Sequence, residues 1–304
     1  PQTGYLNFWD NPMNPRKNES PLYVESYRQG RWFFVKKSVK NYLRNDGTRS
    51  AQVLEWRDER KGAPGASCWP EPIDSGFGSR GMYPVIMDSI PHPAWEGKSV
   101  FAFIPGNAPM PRPVICFSHG YTSSRPEFYF PLIWHIVSRG SIVIFSHFDA
   151  LRFDPASQEK YALLYAGFQA GLTHYHKIID TTRIGFVGHS FGGGATPYVA
   201  KRLLMERRWG AQGAFMHIMA PWYTYEMECK ELRDFPTTIR TVVEVFDDDR
   251  INDHRIGIHL FRNLGIPDSS KRFMVVFGDT SGTCRLEAAH RLPGGRGTVQ
   301  GQSD

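Results

Sequence analysis

The sequence predicts an α/β fold: a mostly parallel, doubly wound sheet with helices on its faces, preceded by an irregular N-terminal extension. Three observations predict it. Short apolar runs alternate with stretches of helical period from Met82 onward. One run, Pro113-Val-Ile-Cys-Phe-Ser118, is apolar almost throughout, as a strand covered on both faces must be. Another, Ile184 to Val187, enters a glycine-rich turn and then a stretch, Ala195 to Arg207, with Val199, Leu203 and Leu204 at helical spacing. Residues 1–80 are therefore taken as an extension packed on or near the core, and residues 81–304 as the main domain.

In chain order, residues 1–80 are rich in Pro, Gly, Asn and aromatic side chains. Within them Ser38 to Arg44 suggests a short helix and Ala51 to Trp56 a short strand, while Lys61 to Arg80 is nearly all turn formers. The aromatic content argues for packing against the main domain rather than a disordered arm. Tyr83 to Met87 and Lys98 to Ile104 read as two strands joined by a Pro-containing loop. After the strand Pro113–Ser118 come a helix at Phe128 to Ser138, a strand at Ile142 to Ser146 and a helix from Gln158 to Ile179. Beyond the glycine-rich turn follow strands Ala214–Met219 and Thr241–Phe246, a helix from Asp253 to Leu264, and a strand Arg272–Phe277. In such a sheet, sites form at the carboxyl ends of the strands.

Bulk properties narrow the function. The formal net charge is +6, yet the Lys and Arg residues are scattered and the densest group, Lys36, Lys37 and Lys40, is short. This is a solvated face rather than a nucleic-acid stripe. No apolar run approaches the ~18 residues of a membrane span. The first residues lack the charged head and apolar stretch of a signal peptide. The four cysteines, Cys68, Cys116, Cys229 and Cys284, form no CxxC pair, which removes the usual zinc and redox motifs. Cys116 lies in an apolar strand and is expected as a buried thiol; Cys229 and Cys284 are the candidates for a disulfide.

The chemistry concentrates at Gly188-His189-Ser190-Phe191-Gly192, a G-x-S-x-G match set between a strand and a helix. This is the context of a nucleophile elbow, in which the serine takes strained dihedrals on a sharp turn and presents its hydroxyl above the sheet. The flanking glycines let strand and helix pass without a Cβ clash. The partners of such a serine follow it in the order acid, then histidine. After the strand ending at Phe246 stand four aspartates, Asp247, Asp248, Asp249 and Asp253. Asp253 is suited to capping the next helix, and adjacent carboxylates repel, so they cannot all be buried. Of eleven histidines only His290 lies beyond the last strand. The run from Gly278 to Ala289 before it is long, and the fourteen residues after it carry no helix pattern. The loop His119-Gly120-Tyr121 and the residue after the nucleophile offer backbone amides, those of Tyr121 and Phe191, for an oxyanion hole. His147 also sits at the carboxyl end of a strand, within reach of a substrate.

Four segments, Gly120-Tyr-Thr122, Ser138-Arg-Gly140, Gly188-His-Ser-Phe-Gly-Gly-Gly194 and Ala220-Pro-Trp222, together resemble the bacterial cutinase-like polyester hydrolases of the α/β-hydrolase superfamily, which include enzymes acting on poly(ethylene terephthalate). The likeness runs from about Pro113 to Trp222 and weakens beyond. It implies an α/β-hydrolase fold and a Ser-His-Asp carboxylic-ester hydrolase with a shallow cleft, acting on small or polymeric esters without metal or cofactor, in a secreted or periplasmic setting. It selects Asp249, through Asp249-Arg250-Ile251, as the acid beside Ser190 and His290. It also implies that Tyr121 and Trp222, with His189, border the substrate; Trp222 equally fits a core aromatic. A second likeness, to platelet-activating-factor acetylhydrolase, rests on the same elbow and on Ser146-His-Phe-Asp149. That family places its acid where this chain has Met219-Ala-Pro-Trp222, without a carboxylate, so it ranks second, alongside a non-catalytic member of the fold used for binding.

Overall fold

The computed structural model describes residues 41–43, 50–54, 75–76, 78–121, 123–148, 157–281, 284–294 and 299–300. Strands β1 (Asn41–Leu43), β2 (Ser50–Leu54), β3 (Val85–Pro91) and β4 (Ser99–Pro105) come first. Then β5 (Arg112–Ser118), α1 (Phe130–Ser138), β6 (Ile142–Ser146), α2 (Ser157–His174), β7 (Ile179–His189) and α3 (Phe191–Glu206) follow. The second half contains β8 (Gly213–Met219), α4 (Cys229–Arg233), β9 (Ile239–Phe246), α5 (His254–Asn263) and β10 (Lys271–Val276). Three short strands, β11 (Asp279–Ser281), β12 (Cys284–Leu286) and β13 (Val299–Gln300), lie last.

The first ten strands make one sheet in the order β1-β2-β3-β4-β6-β5-β7-β8-β9-β10. From β6 to β10 every neighbour is parallel; β1 to β4 join antiparallel at one edge. This order, with the elbow at the end of a central parallel strand, is the α/β-hydrolase fold. Both faces are covered, and single residues alternate between two cores. Val114, Cys116, Ile142, Ile144, Ile184 and Phe186 face α2, α3 and α5. Ile115, Phe117, Val143, Phe145 and Val187 face α1. Two-sided burial explains why the central runs are continuously apolar.

Several elements depart from expectation: β3 runs to Pro91 rather than ending at Met87, and α4 is not among the expected elements. Asn41–Leu43, expected within a helix, is a strand, because pairing with β2, which in turn pairs with β3, supplies ladder hydrogen bonds that a lone turn of helix lacks. The helix α2 ends at His174 and β7 already begins at Ile179, with a turn between them, so the helix is shorter and the elbow strand longer than expected. The long run before His290 is a hairpin: β11 and β12 pair antiparallel, Asp279 opposite Leu286. A hairpin returns the chain to its point of departure, so the insertion does not carry His290 away from the end of β10. Cys116 is buried as expected, and burial pushes its thiol pKa up. Cys68 and the side chain of Cys284 lie outside the described residues, and with them the expected disulfide.

Candidate active site

Ser190 stands at the carboxyl end of β7, with the ends of β5 and β8 against it. At the end of β7 this serine has φ 57° and ψ −121°, a left-side conformation that a side chain adopts only under constraint. The constraint comes from both sides of the turn. The Ser190 amide donates to Met219 O at 2.9 Å, and its carbonyl accepts from Gly194 and Trp222 amides at 3.0 and 2.8 Å. A Cβ on Gly188 would overlap Thr196 and the Gly192 carbonyl, and one on Gly192 would overlap the Ser118 and His119 carbonyls. Only glycine permits strand and helix to pass this closely. Phe191 is the first residue of α3, so its amide has no acceptor within the helix and is available to an anion.

The loop after β5 is held against this turn. His119 is buried between aromatic rings, stacked on Phe148 with centroids 4.0 Å apart. Its Nδ1–H donates to Gly120 O at 2.8 Å, and its Nε2 accepts the Phe148 amide at 3.3 Å. Burial brings its pKa down to about 3, so the ring is neutral. The Gly120 amide donates to Tyr129 Oη at 2.9 Å. With Gly120 committed at both its amide and its carbonyl, the next amide of the loop, that of Tyr121, is the candidate second donor beside Phe191. The Tyr121 and Phe191 rings meet edge to face at 4.7 Å.

The structure brings Asp249 and His290 together. Asp249 is buried, and its Oδ2 accepts Nδ1–H of His290 at 2.7 Å. Its Oδ1 accepts the Ile251 and Asn252 amides at 2.8 and 2.9 Å. Burial alone would raise the Asp249 pKa, but the hydrogen bond and positive charge offered by His290, with the two amides, outweigh it and hold the carboxyl below its ordinary value. The other three aspartates are sorted by geometry. Asp247 is exposed. Asp253 caps α5 by accepting the Arg255 amide. Asp248 grips the histidine loop: its amide donates to Ala288 O and its Oδ2 accepts the Ala288 amide, both at 3.1 Å. Downstream, Leu292 anchors the same loop in the core beside α1.

Ser190 and His290 are both nearly buried, and the ring of His189, the neighbour of Ser190, lies 4.7 Å from that of His290. Among the described residues no hydrogen bond joins the Ser190 hydroxyl to His290. Such bonds are often long in unliganded enzymes and tighten with substrate. His189 is not a free wall for substrate. It is buried, with Nδ1 on the Tyr129 hydroxyl at 2.8 Å and Nε2 on the His290 carbonyl at 2.9 Å. His147 is also mostly buried, donating from Nδ1 to Ser99 O at 2.6 Å. Trp222 is half-buried, its Nε1–H on Tyr225 Oη at 3.3 Å, and Tyr121 is half-buried beside Phe148 and Phe191. Thr122 and Asp149 lie outside the described residues.

Sequence reasoning missed Tyr129 and Asn252. The Asn252 amide group donates to Ala220 O at 2.6 Å, holding a residue that sits at φ 41°. Neither stands in a motif; an Asn three residues after a candidate acid was the only available signal. No metal-binding group of three or more His, Cys, Asp or Glu occurs among the described residues.

No protein-family model matches the chain, and no curated protein matches it. Among solved structures it is similar to carboxyl esterase 2 of the mycorrhizal fungus Tuber melanosporum, at 20% identity and a TM-score of 0.48, over 64% of this chain and 77% of that one. It is also similar to a mutant of the esterase rPPE, at 16% identity and a TM-score of 0.47, over 70% of this chain and 77% of that one. Both likenesses are distant, and neither bears on what this chain acts upon.

Proposed function

We propose that this chain is a serine hydrolase of carboxylic esters working through an acyl-enzyme. The observation that carries the proposal is the buried Asp249–His290 pair at 2.7 Å, set at the strand ends beside a serine held at φ 57°. In the proposed reaction Ser190 Oγ attacks the ester carbonyl while Nε2 of His290 takes the hydroxyl proton. Asp249 holds Nδ1–H, fixing the tautomer and stabilising the imidazolium. The amides of Phe191 and Tyr121 receive the oxyanion, each such donor being worth about 3 kcal/mol in the transition state. Collapse expels the alcohol, which takes the proton from His290 and leaves the acyl group on Ser190. Water then attacks with His290 as base, releasing the carboxylic acid and restoring the serine. Every proton is carried by His290, and no cofactor enters the sequence of steps.

The substrate class that suits the half-buried aromatic pair Tyr121 and Trp222 is an ester with a planar or bulky acyl group, polymeric esters included. The test is twofold. A fluorophosphonate probe should label Ser190, and p-nitrophenyl esters should be cleaved; absence of both in folded protein would favour a binding protein on the same fold. Rates on short soluble esters, phospholipid and polyester film then separate a cutinase-like enzyme from an acetylhydrolase of phospholipids.

A further inference from the structure

We propose that Tyr129 and His189 are positioning residues: a buried neutral relay that sets the oxyanion loop and the His290 loop to one common reference. The inference rests on the serine-hydrolase reading and adds to it a coupling between two of its parts.

The relay is continuous. The Gly120 amide donates to Tyr129 Oη at 2.9 Å. The Tyr129 hydroxyl meets His189 Nδ1 at 2.8 Å, and His189 Nε2 meets His290 O at 2.9 Å. The directions follow from chemistry. A carbonyl oxygen only accepts, so Nε2 of His189 carries the proton. Burial, with the neighbouring His290, lowers the His189 pKa to about 3, so the ring holds a single proton and Nδ1 must accept. Tyr129 therefore donates its hydroxyl proton to Nδ1 and receives the Gly120 amide. The Gly120 amide can only donate and the His290 carbonyl only accept, so with a neutral ring the two ends fix the direction of the middle bond; the Ser123 side chain is a further partner of the Tyr129 hydroxyl.

The placement gives the relay its purpose. Its ends are the main-chain amide next to Tyr121 and the main-chain carbonyl of His290 itself. Between them it crosses the 3₁₀ turn before α1 and the elbow residue immediately before Ser190. A Cβ on Gly120 would stand 3.0 Å from Ser190 Cβ, 3.1 Å from His189 Nδ1 and 3.3 Å from Tyr129 Oη, so the loop, the elbow and the relay pack as one unit. Tyr129 is 1% exposed and His189 4%, so neither side chain is open to bulk water. An apolar pair of similar volume would fill this space without the demand that buried polar groups be matched. What the polar pair adds is fixed distance: hydrogen bonds define separations that dispersion contacts leave soft.

The test is steady-state hydrolysis of p-nitrophenyl acetate and butyrate by Tyr129→Phe, His189→Phe, His189→Gln and the double Phe variant. Rates are normalised to sites titrated with the fluorophosphonate probe. A misplacement of reacting groups of the order of 1 Å costs up to about 100-fold. Tyr129→Phe and His189→Phe are therefore each expected to lower kcat by about 10- to 100-fold with KM within about twofold. The double variant should match the worse single one, since either change breaks the same chain. Gln at 189 can still donate from Nε2 to the His290 carbonyl and accept at Oε1, so His189→Gln should recover most of the loss. A purely structural pair would lower the thermal midpoint and the fraction of titratable sites while leaving kcat per site unchanged, and that result would overturn the relay. Additive losses without recovery by Gln would also overturn it. Should Tyr129→Phe fail to fold, the comparison of His189→Gln with His189→Phe makes the same decision. A wild-type protein that neither labels nor turns over would instead remove the hydrolase reading on which the relay depends.

Discussion

Asp249 Oδ2 and His290 Nδ1 stand 2.7 Å apart although 41 residues separate them in the chain. The carboxylate is almost wholly buried, and three donors, His290 Nδ1–H and the Ile251 and Asn252 amides, favour its charged form. In Asp249→Asn the side-chain amide can present N–H where Nδ1 needs an acceptor, turning the imidazole to the wrong tautomer. A loss in kcat of up to about 10⁴-fold is expected, with folding intact. Asp247→Asn and Asp253→Asn should remain within about tenfold. Measuring kcat for the set on a soluble ester near neutral pH decides it; a large loss at Asp247 or Asp248 with little at Asp249 would reassign the acid.

Asp248 calls for a second pair of variants. Its Oδ2 accepts the Ala288 amide two residues before His290. Asn retains an acceptor there and Ala does not. Asp248→Asn is expected to keep activity within about tenfold, while Asp248→Ala should lose more and destabilise by about 1 kcal/mol, the usual scale of one such hydrogen bond. Equal behaviour of the two variants in kcat and in urea midpoint would show that the bond does not hold the loop.

Ser190→Ala should abolish hydrolysis of p-nitrophenyl esters, by about 10⁴-fold or more, while the protein remains folded. Alanine keeps the backbone bonds from Ser190 to Met219, Gly194 and Trp222, so circular dichroism and thermal midpoint should change little. Turnover retained by the folded variant would end the proposed mechanism.

Trp222 is half-buried with its indole N–H on Tyr225 Oη, and its amide is tied to the Ser190 carbonyl. Trp222→Ala is expected to raise KM for aromatic or bulky esters more than for acetate esters. The same change in KM for both would mark Trp222 as a packing residue of the loop after β8.

The buried histidines predict acid sensitivity. His119 and His189 each have a folded-state pKa near 3, against an ordinary value of 6.5, because burial penalises the imidazolium. Their unfolded forms take up protons as pH falls through 6.5 while the folded forms do not, so stability is complete above that value and declines down to about 3. Each contributes at most about 1.4 kcal/mol per pH unit within the window. Asp249, held below its ordinary pKa, loses stability in the same direction at the acid end. Urea midpoints at pH 7.5, 6 and 5 should fall progressively; a flat profile would show that the two rings are hydrated or protonated in the folded protein.

Much of this molecule is legible in the chain itself. The apolar run Ile142–Ser146 coincides with β6, and those of β5, β8, β9 and β10 lie within two residues of the observed strands, because two-sided burial leaves a continuous hydrophobic signature. The elbow is written in contiguous residues, since the glycines that allow the serine's backbone sit two positions either side of it. Chain order alone leaves His290 as the histidine beyond the last parallel strand. Tertiary structure decided what depends on close approach between distant segments. Which of four aspartates meets the imidazole turns on a few ångströms of chain path after β9. The strand at Asn41–Leu43 exists because a neighbour completes its hydrogen bonds. The Tyr129–His189 relay joins residues 9, 60 and 101 positions apart, and no local pattern encodes it. Burial patterns are local and periodic, so a sequence displays them. A hydrogen-bonded constellation is satisfied only in three dimensions, where loops of different length bring a donor and an acceptor to within 3 Å of one another.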